Sequence, residues 1–216
     1  MKKLAFSVFA AALTFGANAA DDVEVAATQA CCGFNGIYFG LGAAAVDNGI
    51  KTEDSDPTTD AVSHHSTRLG ATAVLGYGRA IKEKAFLGLE AGLDASQNFE
   101  SGTVAKVNGL TPSVALRLGY AHAATKSMVY LKAGAAYSKA KWKFENAGTD
   151  YELKNSKWAP IVALGGEKIC GKVRTRLEAE YRFRANKSMD VNSTTYKLTN
   201  RGAVTLRAMA IYTVKM

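Results

Sequence analysis

From Val173 to Arg184 the chain reads VRTRLEAEYRFR, and its character changes at every second residue. Val173, Thr175, Leu177, Ala179, Tyr181 and Phe183 hold one parity; Arg174, Arg176, Glu178, Glu180, Arg182 and Arg184 hold the other. A helix, repeating about every 3.6 residues, would scatter both sets around its circumference, whereas a strand separates them onto two faces. This segment therefore reads as a strand between two unlike surroundings, one apolar and one able to hold charge.

Seven further segments alternate in the same way. They run from about Gly36 to Val46, Thr67 to Gly78, Ala85 to Ala95, Ser113 to Ala121, Met128 to Ser138, Lys157 to Gly166 and Ala203 to Met216. In the first, Ile37, Phe39, Leu41, Ala43 and Ala45 oppose Tyr38, Gly40, Gly42 and Ala44. In the last, Val204, Leu206, Ala208, Ala210, Tyr212, Val214 and Met216 oppose Thr205, Arg207 and Thr213. Pro160 is the weak point of the sixth, because proline cannot donate to a ladder; it marks a bulge or the strand's start.

The connections set the topology. Short links lie near Arg79–Lys84, His122–Ser127 and Glu167–Lys172; long polar ones lie near Asp47–Ser66, Ser96–Pro112, Lys139–Ser156 and Ala185–Gly202. Short turns alternating with long loops are the asymmetry of a transmembrane barrel, with periplasmic turns and extracellular loops. Strands of about ten residues match a tilted crossing of the hydrocarbon layer. The expected fold is all-β: an eight-stranded, antiparallel, up-and-down transmembrane β-barrel over 36–216.

Residues 1–19 read as an export signal. Lys2 and Lys3 precede an apolar core from Leu4 to Gly16, and Ala17-Asn18-Ala19 forms an A-x-A cleavage site. Residues 20–35 then form a short periplasmic segment ahead of the barrel. After cleavage no stretch is long and apolar enough to span a bilayer as a helix, which leaves a barrel open. Without Lys2 and Lys3, 25 basic residues face 19 acidic ones, an excess of +6. Such an excess can signal nucleic-acid binding, but export argues against it; the charge is assigned to a polar lumen and loops.

Periodicity alone does not say which face points inward. A soluble ligand-binding barrel would turn its apolar side chains in. Here the polar face mixes glycines with opposite charges: Glu90, Asp94, Arg117, Lys132, Arg176, Glu178, Glu180, Arg182 and Arg207. An eight-stranded barrel is just wide enough for side chains to fill, and paired charges beside small residues suit that space. The aromatic residues Tyr77, Tyr120, Tyr137, Trp158, Tyr181 and Tyr212 keep the apolar phase, as in membrane-interface girdles. The apolar face is therefore read as lipid-facing, and the charged set as a structural ionic network plugging the lumen.

In these respects the chain resembles the eight-stranded outer-membrane barrels of the OmpA/OmpX and opacity-protein type. The likeness rests on Gly33-Phe34-Asn35-Gly36-Ile37-Tyr38-Phe39-Gly40, Leu75-Gly76-Tyr77-Gly78 and Phe86-Leu87-Gly88-Leu89-Glu90-Ala91-Gly92. The terminal Tyr212-Thr213-Val214-Lys215-Met216 looks like the family's insertion signal, carried by Tyr212, Val214 and Met216; Met216 departs from its usual final phenylalanine. The resemblance implies a bacterial outer-membrane location, contact with lipid and lipopolysaccharide, handling by the barrel-assembly machinery, and no peptidoglycan-binding module.

Other site-like features are weaker. Cys31 and Cys32 precede the first strand and Cys170 sits in a short turn, so a disulfide from either to Cys170 is open, as are idle thiols. His64-His65-Ser66 is the one histidine pair, but adjacent strand residues face opposite ways, which suits a catalytic couple poorly. Glu53-Asp54-Ser55-Asp56 lacks the ligand spacing and glycine of a calcium loop. No catalytic residue, metal or cofactor is expected. The expected role is structural and surface-interactive, adhesin- or antigen-like, with long loops open to extracellular ligands. Alternatives are a narrow porin or ion channel and a lipid-modifying enzyme.

Overall fold

The alternating runs form strands that hydrogen-bond in chain order and return to the start. The computed structural model describes residues 34–53, 62–81, 84–96, 99–101, 105–107, 109–122, 124–146, 149–170, 172–183, 185–191 and 194–214. The barrel wall consists of β1 (Gly36–Glu53), β2 (Val62–Ala80), β3 (Ala85–Ser96), β6 (Leu110–His122), β7 (Ser127–Asn146), β8 (Thr149–Cys170), β9 (Val173–Arg182) and β11 (Thr194–Val214). Each pairs antiparallel with the next, and β1 pairs with β11 from Ile37↔Val214 onward, closing a ring with no free edge in the membrane. The short strands β4 (Phe99–Ser101), β5 (Ala105–Val107) and β10 (Ala185–Val191) lie in the connections; β5 joins β4 to β7, and β10 pairs with β11.

Exposure decides the inside-out question. Leu41, Leu69 and Leu131 are 65%, 73% and 64% exposed, whereas Tyr38, Ile161 and Arg117 on the opposite parity are buried. Large apolar side chains cover the outer wall on every barrel strand, a distribution a water-facing surface does not tolerate. Aromatic contacts mark two levels of that wall: the tilted rings of Phe39 and Tyr212 lie 5.4 Å apart near the termini, and those of Tyr137 and Trp158 5.5 Å apart toward the other end. In β7 the apolar outer row from Val129 to Tyr137 spans about nine residues, the length of a tilted membrane strand.

The strands run further than their alternation of apolar residues suggested. The long connection expected at Lys139–Ser156 is mostly ladder: β7 continues to Asn146, and β8 starts at Thr149. Ala185–Gly202 likewise folds largely into β10 and the first part of β11. Above the membrane no lipid demands an apolar face, so a polar strand extends as readily as an apolar one once its ladder partner is in place. Pro160 sits inside β8, one residue before the ladder with β9 begins at Ile161; its carbonyl accepts the Phe183 N–H at 3.0 Å. At that ladder end a missing N–H is tolerated. Between Asn48 and Ile50 the β1–β11 register slips, so that Arg201 and Gly202 oppose Gly49. Gly202 takes φ of 46° there, a left-handed conformation suited to a bulge.

Candidate functional site: the charged lumen

Alternation on eight strands aims a second set of side chains at one narrow interior. From β9 come Arg174, Arg176, Glu178, Glu180 and Arg182; from β3 come Glu90 and Asp94. Arg117 is contributed by β6, Lys132 by β7, Glu167 by β8 and Arg207 by β11, and all are buried. Glycine makes the room: a Cβ at Gly76 would collide with the Tyr38 ring, and one at Gly165 with the Tyr130 ring.

These groups form one connected network. At the end nearer the termini, Arg174 pairs with Glu167 at 3.0 Å, and Glu167 also accepts Arg176 Nε at 2.7 Å and the Arg117 guanidinium. Arg117 Nη1 donates to Tyr38 Oη at 2.8 Å, and Tyr38 Oη donates to Glu90 Oε2 at 2.9 Å. The Arg117 guanidinium lies 3.9 Å from the Tyr130 ring centroid, within cation–π range. Arg176 also pairs with Glu90. Higher up, Lys132 Nζ donates to Glu178 at 2.6 Å and lies 3.3 Å from Glu180, and Tyr130 Oη donates to Glu178 at 2.6 Å. Arg207 closes the set. Its Nε donates to Asp94 at 2.9 Å, and its Nη1 donates to Glu178 at 2.7 Å and to Glu180 at 2.9 Å.

Buried charges persist only when paired and hydrogen-bonded, and each carboxylate here meets at least one cation. Arg182, two residues beyond Glu180 on the inner face of β9, is buried as well. Below the network an apolar layer closes the barrel: Phe34 packs with Phe86, Ala121, Met128 and Tyr130. Asn35 Oδ1 accepts the Ala80 N–H at 2.7 Å, which fixes the segment carrying Phe34 across the mouth. Arg174 sits 5.3 Å from the Phe34 ring centroid.

The structure thus brings the nine charged residues singled out by alternation into one interior. It adds four that the expected ionic network leaves out: Arg174 and Tyr38, which share the inner parity, with Glu167 and Tyr130. The sequence places Glu167 in a short link, but β8 runs on to Cys170 and carries it inward in phase with Ile161, Ala163 and Gly165. Cys170 is exposed, with a free thiol, at the end of β8. Cys31, Cys32, Met216, the export signal and Asp54 to Asp56 lie outside the described residues, as do the side chains of Glu53, His64, His65 and Ser66. Tyr212 and Val214 are exposed on the outer wall beside β1. Among the described residues, no cluster of three His, Cys, Asp or Glu side chains forms a metal-binding set.

The family comparison matches the OmpA-like transmembrane domain over residues 34–210, nearly the whole barrel. The chain belongs to that family. OmpA-like barrels of this kind sit in the bacterial outer membrane, and the lipid-facing wall described above is that placement seen residue by residue. Among solved structures, the chain is similar to the outer membrane protein OprG from Pseudomonas aeruginosa at 13% identity and a TM-score of 0.52, with 83% of this chain and 97% of OprG covered. It is similar to the outer membrane protein AlkL in lipid bilayers at 14% identity and a TM-score of 0.52, with 93% and 96% covered. The outer membrane protease OmpT from Escherichia coli is also similar, at 9% identity and a TM-score of 0.46, with 82% and 96% covered. The comparison with curated proteins gave no match.

Proposed function

We propose that this OmpA-like barrel is a sealed outer-membrane protein that supports envelope integrity and presents its extracellular strands and loops for interaction. One observation supports the reading: buried, ion-paired side chains from β3, β6, β7, β8, β9 and β11 meet inside the barrel, and Phe34 packs in an apolar cluster beside them. A pore needs a continuous wet path, and side chains bound to one another across the lumen oppose one. The protein reaches the membrane by cleavage of residues 1–19 and insertion through its terminal Tyr212, Val214 and Met216. The network serves a structural role, and function lies outside the wall.

The second reading, a narrow channel, has its own support in the charge count. Among the described buried residues seven bases (Arg68, Arg117, Lys132, Arg174, Arg176, Arg182, Arg207) face five acids (Glu90, Asp94, Glu167, Glu178, Glu180), leaving two positive charges in excess. Planar-bilayer recording separates the two. The parent barrel is expected to carry no stepwise current. Replacing Glu178 and Glu180 with alanine leaves Lys132 with Glu90 at 3.5 Å and Arg207 with Asp94 alone, and any current that follows is expected to favour anions. Stepwise current in the parent that those substitutions alter would establish the channel. An enzyme reading rests on His64 and Ser66; an activity abolished by substituting either would replace the proposal.

A further inference from the structure

Among the described residues, the buried acids of the lumen are held by five of its buried bases. Glu167 meets Arg117, Arg174 and Arg176, and Glu90 meets Arg117, Arg176 and Lys132. Arg207 takes Asp94, Glu178 and Glu180. The charges of Arg68 on β2 and Arg182 on β9 come on top of these pairs, and both residues lie toward the extracellular ends of their strands.

The registers bring the two arginines to adjoining rows of the inner wall. Arg182 pairs with Ala203, and Ala203 with Asn48; one step toward the network, Thr205 pairs with Val46, and Val46 with Arg68. Residues paired across antiparallel strands share a face, and all six are buried. Three polar atoms of this patch, Arg182 Nε, Thr205 Oγ1 and Asn48 Oδ1, are buried without a hydrogen-bond partner. Leaving such groups unsatisfied is costly. Arg68 has contacts elsewhere, but a guanidinium carries five N–H donors, so an anion does not need all of them.

The chemistry of the three atoms selects the ligand. Arg182 Nε and the Thr205 hydroxyl call for acceptor oxygens, and two arginines call for a double negative charge. Asn48 Oδ1 calls for a donor. Hydrogen phosphate offers all of these at once, with acceptor oxygens and one O–H; sulfate has the charge and no O–H. Guanidinium forks also match the oxygens of phosphate in shape.

We propose that Arg182 and Arg68, with Thr205 and Asn48 between them in strand order, form a binding site for hydrogen phosphate at the extracellular end of the lumen. The proposal rests on the sealed-barrel reading, because the Arg207 network beneath makes the site a dead end that an anion enters and leaves from outside.

Isothermal titration of the folded parent in micelles with sodium phosphate tests it, with ionic strength held constant by sodium chloride so that screening does not change. Saturable binding is expected. Arg182→Gln should weaken it about 10- to 100-fold, as for a lost hydrogen bond between charged groups. Arg182→Lys keeps the charge without the fork and should fall between. Sulfate should bind the parent about 10-fold more weakly than phosphate, with Asn48 Oδ1 left unsatisfied. Lys168→Gln, exposed at the periplasmic end, should bind as the parent does. Phosphate should also raise the urea midpoint of the parent and leave that of Arg182→Gln unmoved. Folding of each variant is verified by its gel shift on boiling, and Arg182→Lys with Thr205→Val replaces an Arg182→Gln variant that does not fold.

Absence of saturable binding, equal affinity in a folded Arg182 variant, equal affinity for sulfate, or the same loss in Lys168→Gln would overturn the assignment. Bilayer recording separates it from the reading beneath it. A sealed parent that binds no phosphate removes this inference alone; a conducting parent that binds phosphate through Arg182 removes the sealed-barrel reading alone.

Discussion

Replacing Arg207 with methionine is expected to destabilise the folded barrel by about 3–5 kcal/mol, the usual cost of removing one partner from a buried ion pair. Methionine keeps much of the length and none of the charge. Arg207 joins β11 to three carboxylates, those of Asp94, Glu178 and Glu180. Glu178 and Glu180 retain Lys132 at 2.6 and 3.3 Å. Asp94 loses the only cation that hydrogen-bonds to it among the described residues, and becomes a buried charge without a direct partner. The loss should therefore concentrate on Asp94, and Asp94→Asn in the Arg207→Met background should recover part of it. Such recovery is the non-additivity expected of residues in one network. Urea titration in micelles, read by the proportion of heat-modifiable protein, gives both numbers. A loss below about 1 kcal/mol would mean that the lumen charges are hydrated rather than mutually held. Exposed Lys168→Gln, away from the network, should stay within about 0.5 kcal/mol of the parent.

Placing arginine at Leu131 is expected to cost roughly 2–4 kcal/mol, the cost of a cation on the lipid face near the bilayer centre. Leu131 is 64% exposed, and its ladder partners Leu118 and Leu164 are exposed beside it. The direction of this effect is diagnostic. In a water-soluble barrel an exposed leucine would accept arginine with little change, within about 0.5 kcal/mol, and solubility would improve. In lipid the guanidinium must leave water. Refolding yield into vesicles and the urea midpoint there should both fall, whereas the neighbouring inward Lys132 already tolerates its charge because Glu178 and Glu180 receive it. Unchanged refolding of Leu131→Arg would place the wall in water.

Much of this molecule is legible in its sequence because barrel strands obey a period of two, and a two-surface wall writes that period in residue chemistry. The charged row of β9 could be assigned to the interior from Arg174 to Arg182 without any partner in view. What local sequence does not carry is which inward residues meet. Arg207 and Asp94 are 113 residues apart in the chain, and their contact depends on the registers of β11 with β1, β1 with β2, and β2 with β3. Tyr38 fell on the inner parity by alternation, yet its hydroxyl bridge between Arg117 and Glu90 follows only from closure of the ring.

Glu167 is hidden in the sequence for a different reason: a glycine pair, Gly165-Gly166, imitates a turn. Continuing the parity of Ile161 and Ala163 through that pair would have placed Glu167 inside. The same habit hid the upper ladders, where Lys141 and Lys143 alternate with Trp142 and Phe144 as regularly as any membrane strand. Polar composition there reads as loop because no lipid requires an apolar face. Phe34 carries no periodic signal at all; its seat in the mouth depends on Asn35 binding the Ala80 N–H.

The apolar wall faces lipid around a closed ring of strands in the outer membrane. Cell fractionation followed by gel electrophoresis of unboiled and boiled samples tests it in one measurement. The expected result is a protein in the outer-membrane fraction that migrates differently before and after boiling. A protein recovered in the soluble periplasmic fraction, with the same migration whether boiled or not, would contradict it.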